Sequence, residues 1–247
     1  MIFESMILAV QGQAQQGGGI GIGYFLIIGA TMLVSMLVSG KLKSRFNQYS
    51  QIPMRMTGAQ VAEAMLSQNG IQDVQVIHVP GHLTDHYDPM RKTVNLSDKV
   101  YYENSVAAAA VAAHECGHAL QHQQAYAWLT FRSKMVPAVQ FASTIQQYLM
   151  MGAMVGVGLF HSPMMLWIWV AVFAVTTLFA VVTLPVEFDA SNRAMAWLER
   201  SGIANQMEHD KAKNALFWAA MTYVAGAVGA VAQMLYLISM LMGRRNE

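Results

Sequence analysis

Residues 106–121 read VAAAAVAAHECGHALQ, an apolar helical sequence that carries His114, Glu115 and His118 at its end. Ser105 stands where an N-cap belongs, so the spacing predicts a helix from Val106 to about Gln123 or beyond. On a helix, residues i and i+4 lie one turn apart on the same face. Two imidazoles placed in that way can share one Zn²⁺ at about 2.0–2.1 Å each. Glu115 stands beside them, where a carboxylate can take a proton from metal-bound water. His114 and His118 are therefore read as metal ligands and Glu115 as the catalytic general base.

A catalytic zinc needs a third protein ligand and an open position. A third His ten residues after the first is one solution, but position 124 is Gln, and the Gly expected at the seventh position is Gln121. His122 is eight residues from His114, about 80° round the helix, which suits a place beside the site more than ligation. Cys116 falls on roughly the opposite face and reads as packing. The better candidate is Glu187 in PVEFDASNR, residues 185–193, with Asp189 as the competing ligand. Ser191 lies one turn after Glu187 and can support the site through a hydrogen bond.

The rest of the chain sets the surroundings. Hydrophobic residues make up 55% of the 247 and charged residues only 12%, against about 25% charged in soluble domains. The stretches 5–40, 136–186 and 214–243 contain no Asp, Glu, Lys or Arg. Uncharged apolar runs of that length read as membrane spans, since about 20 residues cross the hydrocarbon core. A simple soluble protein is excluded. A net charge of +1 without a dense Lys/Arg cluster speaks against nucleic-acid binding, and a single cysteine rules out an intramolecular disulfide framework.

The layout that follows is an α-helical integral membrane protein of about four transmembrane helices, with a small α+β zinc-peptidase domain split in sequence by a transmembrane hairpin. Residues 1–19 form an N-terminal segment, read as retained because no basic residue precedes Lys41. A span at 20–40 leads to a catalytic part at 41–135, a hairpin at 136–186, a second catalytic part at 187–213, and a final span with a basic C-terminus at 214–247. Within these, the spans fall near 20–38, 139–160 and 164–184 and inside 216–242. His161-Ser162-Pro163 marks the hairpin bend. Pro185 is expected to end the third span, and a separate charged helix over about 187–201 to stop at Gly202. In the domain, Thr57 and Gln60 form a capping-box pattern, residues 74–79 read as a strand, and 92–96 as a partner strand. Lys41, Lys43 and Arg45 place residue 41 on the cytoplasmic side. The same count puts Arg244 and Arg245 outside, against the positive-inside tendency.

At this point the chain resembles a known group, the YugP-like putative neutral zinc metallopeptidases of bacterial membranes. The resemblance runs from about residue 20 to the C-terminus and rests on LTDHYDP at 83–89, VAAHECGHALQHQ at 111–123 and LPVEFDASNRA at 184–194. More distantly the chain is similar to the gluzincins of the HtpX heat-shock and CAAX prenyl protease type. Those proteins also place membrane spans between the H-E-x-x-H helix and the helix of the third Glu. The resemblance implies His114 and His118 as ligands, Glu115 as general base and Glu187 as the Glu ligand. The distant relatives carry Asp four residues after the Glu ligand where this chain has Ser191, so Asn192 or Asp189 stands as a substitute for that support.

Thr84-Asp85-His86-Tyr87-Asp88-Pro89 reads either as a strand edge that pairs with an extended peptide, with His86 or Tyr87 near the scissile carbonyl, or as a polar turn. Arg193, Tyr126 and His209 are candidate transition-state donors. The activity expected is that of a membrane-bound zinc metalloendopeptidase of a bacterial plasma membrane, facing the cytoplasm. Its partners would be a peptide or membrane-protein substrate and the lipid bilayer, with no nucleic acid. The small-residue run 225–232 permits a homo-oligomer. Two alternatives stand beside it. One is a non-catalytic scaffold or chaperone with a structural zinc, whose fourth ligand would be His122, Cys116 or Asp189. The other is an intramembrane-cleaving protease, which the nine apolar residues at 105–113 are too few to support.

Overall fold

The computed structural model describes residues 22–154 and 162–243. The elements in chain order are α1 (Ile22–Tyr49), α2 (Gly58–Gln68), β1 (Gln75–His78), β2 (His86–Asp88), β3 (Thr93–Leu96), α3 (Asp98–Tyr102), α4 (Val106–Gln123), α5 (Ala127–Met154), α6 (Pro163–Ser201) and α7 (Gln206–Gly243). The chain divides into two compact units. One comprises 1–36, 132–182 and 223–247, and the other 37–131 and 183–222. Residues 1–21, with the N-terminal segment expected there, and the bend at His161 lie outside the described residues.

The second unit carries the mixed structure. Its α2 starts at a full capping box: Gln60 N–H donates to Thr57 Oγ1 at 3.3 Å, and Thr57 N–H donates to Gln60 Oε1 at 2.9 Å. Val61, Met65 and Leu66 give this helix its buried face. The sheet has the order β1-β3-β2. β3 is central, with all four residues buried, and pairs in parallel with β1, Gln75 facing Thr93. β2 pairs antiparallel on its other side, Tyr87 facing Val94. Residues 86–88 therefore form a short edge strand, within the segment 84–89 that the sequence leaves between a strand edge and a polar turn. The expected strands at 74–79 and 92–96 are both present, one residue shorter at one or both ends.

Behind the sheet, α4 begins at Ser105, whose Oγ accepts from Ala108 N–H at 3.2 Å. Its Ala run 107–110 is completely or almost completely buried. That lets α2, α4 and the C-terminal part of α6 pack closely, with Leu66, Val106 and Trp197 in one core. Trp197 Nε1 donates to Gln68 Oε1 at 3.0 Å, tying α6 to α2.

The first unit holds a separate apolar cluster built from Tyr24, Leu166, Trp169, Phe173, Tyr236 and Leu237. Within it, Gly229 faces Thr31 so closely that an added Cβ would lie 2.2 Å from the Thr31 methyl. Among the described residues three helices are long and apolar enough to cross a membrane: Gly23–Tyr49, Met164–Ser201 and Gln206–Gly243. α5 is not one of them. It starts at Ala127, carries Pro137 inside it, and the end of the span expected at 139–160 lies beyond the described residues.

One expectation about a helix end is corrected. Pro185 does not end the third apolar segment, because α6 runs unbroken from Pro163 to Ser201 with Pro185 inside it. A proline removes one N–H and crowds the carbonyl four residues back, at about 3 kcal/mol. Burial of its neighbours Val182, Thr183 and Val186 offsets that cost. The helix does stop at Gly202, with φ +65°. The last helix starts well before residue 216, at Gln206. Asn205 caps it reciprocally with Glu208, Glu208 N–H to Asn205 Oδ1 at 3.0 Å and Asn205 N–H to Glu208 Oε2 at 2.7 Å.

Candidate metal centre

The site is made by two helices of the second unit that touch through their backbones. A Cβ added at Gly117 would stand 2.5 Å from the carbonyl oxygen of Ala190. Only a residue without a side chain allows α4 and α6 this approach. His114 lies three residues before that contact and His118 one after it, while Glu187 lies one turn before Ala190. The crossing therefore brings the three side chains together. Their ligand atoms all fall within 4.8 Å of one another. Glu187 Oε2 is 3.3 Å from His114 Nε2 and 3.7 Å from His118 Nε2.

These distances suit a metal better than direct hydrogen bonds. Ligands at about 2.0–2.1 Å from a tetrahedral zinc stand roughly 3.3 Å apart. A charge-assisted N–H···O bond would be shorter, at about 2.7–2.9 Å. The ring tautomers agree with this. His114 Nδ1 lies 3.1 Å from Ser191 Oγ, and His118 Nδ1 lies 3.0 Å from Gln121 Oε1. Each Nδ1–H donates to its oxygen, which leaves both Nε2 lone pairs turned to Glu187. The donor set is two imidazoles and a carboxylate, and it fits Zn²⁺.

Around the three, a hydrogen-bonded chain fixes His118. Gln121 is fully buried, and its Nε2 donates to Val186 O and to Asp189 Oδ2, both at 2.8 Å. Arg193 donates in turn to Asp189 Oδ2 and Gln124 Oε1, and its guanidinium lies 5.7 Å from the centre of the Tyr126 ring. Gln121 was read in the sequence only as a missing Gly. Its signal was there: it lies three residues after His118, on the same helical face.

Glu115 is held from the sheet. The backbone N–H of Tyr87, in edge strand β2, donates to Glu115 Oε2 at 3.1 Å. The Tyr87 hydroxyl lies 2.8 Å from His122 Nδ1, and burial pushes its pKa up to about 12. It therefore stays protonated at neutral pH. His86 does not reach the cluster. It is exposed, and its Nδ1 turns to Thr84 O at 2.7 Å.

Ser191, not Asn192, meets a site histidine, and Asn192 is exposed on α6. Asp189 acts on His118 through Gln121. Arg193 is engaged with Asp189 and Gln124, so it is a brace. His209 lies 4.0 Å from Asp210. The fourth ligands a closed structural site would need are otherwise occupied: His122 by Tyr87, Asp189 by Gln121 and Arg193. Cys116 is buried with its thiol towards Ala62 O, and that burial raises its pKa well above the usual thiol value.

An H-E-x-x-H helix joined by a carboxylate from a second helix is the arrangement of a zinc peptidase. The family described as "Putative neutral zinc metallopeptidase" matches residues 24–242, and the chain belongs to it. The chain is similar to the "Putative membrane protease YugP" of Bacillus subtilis (strain 168), at 40% identity over 225 residues, which are 90% of this chain and 98% of that protein. No solved structure matches.

Two outcomes follow from this geometry. Gly117→Ala forces α4 and α6 apart, a strain of about 1–3 kcal/mol, and zinc content measured by mass spectrometry of the metal should fall clearly below wild type. Gln121→Leu removes the acceptor that orients His118 and should weaken zinc binding roughly 10–100-fold in chelator competition, while the protein stays folded.

Proposed function

We propose that this chain is a membrane-bound zinc metalloendopeptidase. The observation that carries the reading is the convergence of His114, His118 and Glu187 with Glu115 beside them. In this reading the first three hold Zn²⁺. Zinc, when bound, lowers the pKa of a water molecule towards 7 and polarises a carbonyl oxygen.

The chain's own residues do the rest. Glu115, oriented by the Tyr87 N–H, accepts a proton from the attacking water at its carboxylate. It then delivers that proton to the departing amide nitrogen as the peptide bond breaks. Tyr87 and the free edge of β2 offer an extended peptide a strand to pair with. Ser191 and Gln121 keep the two imidazoles in the tautomer that presents Nε2. The Gly117–Ala190 contact keeps Glu187 close to both.

In the same reading the protein crosses a bacterial plasma membrane four times. α1, the apolar part of α6 and the apolar part of α7 supply three crossings, and the segment around 139–160 supplies the other. The three basic residues after the first span put the peptidase parts, 41–135 and 187–213, at the cytoplasmic face. The substrate is then a peptide or a membrane protein that presents an extended segment near that surface.

Detergent-purified wild type should carry close to one zinc per chain, and Glu187→Ala and Glu187→Gln should each lose most of it. Full zinc in both variants removes Glu187 from the ligand set. Glu115→Gln should keep its zinc and lose roughly 10²–10⁴-fold in the rate on a substrate the wild type cleaves. Wild-type turnover by that variant would sink the mechanism.

A further inference from the structure

Far from the metal centre, the second unit carries a basic seam between the ends of two apolar helices. On α1, Lys41, Arg45 and Tyr49 are spaced i, i+4 and i+8 and share one face. On α7, Lys211, Asn214 and Trp218 share another. The two faces meet in antiparallel order. Lys41 Nζ lies 6.0 Å from the centre of the Trp218 ring. Tyr49 Oη donates to Asn214 Oδ1 at 2.9 Å, and Lys211 Nζ lies 5.9 Å from the Tyr49 ring centre.

Arg45 falls halfway between these anchors. Its Nη1 donates to Gln48 Oε1 at 2.8 Å. Among the described residues, its Nε is buried and has no hydrogen-bond partner. A buried guanidinium N–H left unpaired is costly. Nε itself is closed to a ligand, so an anion at the seam would meet the outer guanidinium nitrogens, on the exposed side where Nη1 meets Gln48.

Among the described residues no carboxylate pairs with Arg45. α1 contains no Asp or Glu. On the facing part of α7, Glu208 is used in the helix cap, and Asp210 accepts from Gln206. Lys41 stands one turn before Arg45 on α1, and Lys211 lies against Tyr49, one turn after it.

The level of the seam indicates the source of the anion. It lies where the charged part of each helix gives way to the apolar part. Lys41 follows the uncharged stretch 5–40, and Trp218 stands near the start of the uncharged stretch 214–243. Leu37, one turn into the apolar part of α1, is 65% exposed, and Phe217, beside Trp218, is 50% exposed. Cations and a Trp followed by exposed apolar side chains match the headgroup level of a bilayer, with acyl chains alongside.

We propose that this seam binds the phosphate of one anionic phospholipid, taken by Arg45 with Lys41 and Lys211 on either side. Arg is suited to this, since its fork matches phosphate oxygens and is always charged. Bound there, the lipid would fix the second unit at the membrane surface through both helices.

The test compares phosphatidylglycerol with phosphatidylcholine bound to the delipidated, detergent-purified full chain, counted by native mass spectrometry. Wild type should retain one phosphatidylglycerol in preference to phosphatidylcholine. Arg45→Gln and Lys41→Gln should each weaken that retention by about ten-fold. Lys43→Gln removes the same charge at the same level, but Lys43 lies about 200° round α1 from Lys41, so retention there should stay near wild type. Equal losses in all three variants mean a general charge effect and overturn the proposal. So does undiminished retention in Arg45→Gln, or displacement of the lipid by inorganic phosphate at millimolar concentration. If Arg45→Gln does not fold, Lys41→Gln decides the matter, because Lys41 is exposed and its loss leaves the core intact.

Discussion

The close approach of Gly117 to Ala190 is the contact on which the candidate site depends. His114 and His118 belong to one helix, and Glu187 belongs to another that comes 69 residues after His118 in the sequence. Nothing local holds them together. The backbone contact does, and the buried residues Val186, Ala190 and Ala194 on α6 continue it along the crossing. Small residues at such a crossing let helix axes come close. The second of the two x positions of the H-E-x-x-H motif is thus a structural requirement, although the motif leaves it open.

Once the helices touch, polar groups set the directions. Ser191 and Gln121 take the outer nitrogens of the two imidazoles, and Tyr87 takes the carboxylate of Glu115. His114, His118 and Glu115 therefore each have one fixed partner, and those partners come from α6, α4 and β2 respectively. The sheet contributes little area, but its edge strand orients the base. The chain from Gln121 through Asp189 to Arg193 extends this support by two further links, in surroundings where an unpaired group would be expensive.

Much of this was legible in the sequence because it rests on short-range rules. The Thr57–Gln60 capping box, the Ser105 cap, both longer strands and the stop at Gly202 were read from residues within four positions of one another. Glu187 is nominated over Asp189 from its place just after an apolar stretch, and the resemblance to known membrane peptidases strengthens that choice. Three features were harder to read. Pro185 looked like a terminator because propensity favours that reading, whereas burial on both sides of it carries the helix through. Gln121 looked like a mismatch with another ligand pattern, since its role appears only when Val186 and Asp189 are brought beside it from a distant segment. β2 was too short to show a period at all.

The order of the donors along the chain also has a consequence in time. A ribosome that adds about 5–20 residues each second needs roughly 3–14 s to pass from His118 to Glu187. During that interval the histidine pair and its neighbouring carboxylate exist without their third companion. The intervening segment is largely apolar and uncharged from 136 to 186. The ligand set is therefore completed only after that stretch has been made, and a nascent chain cut short within it carries half a site.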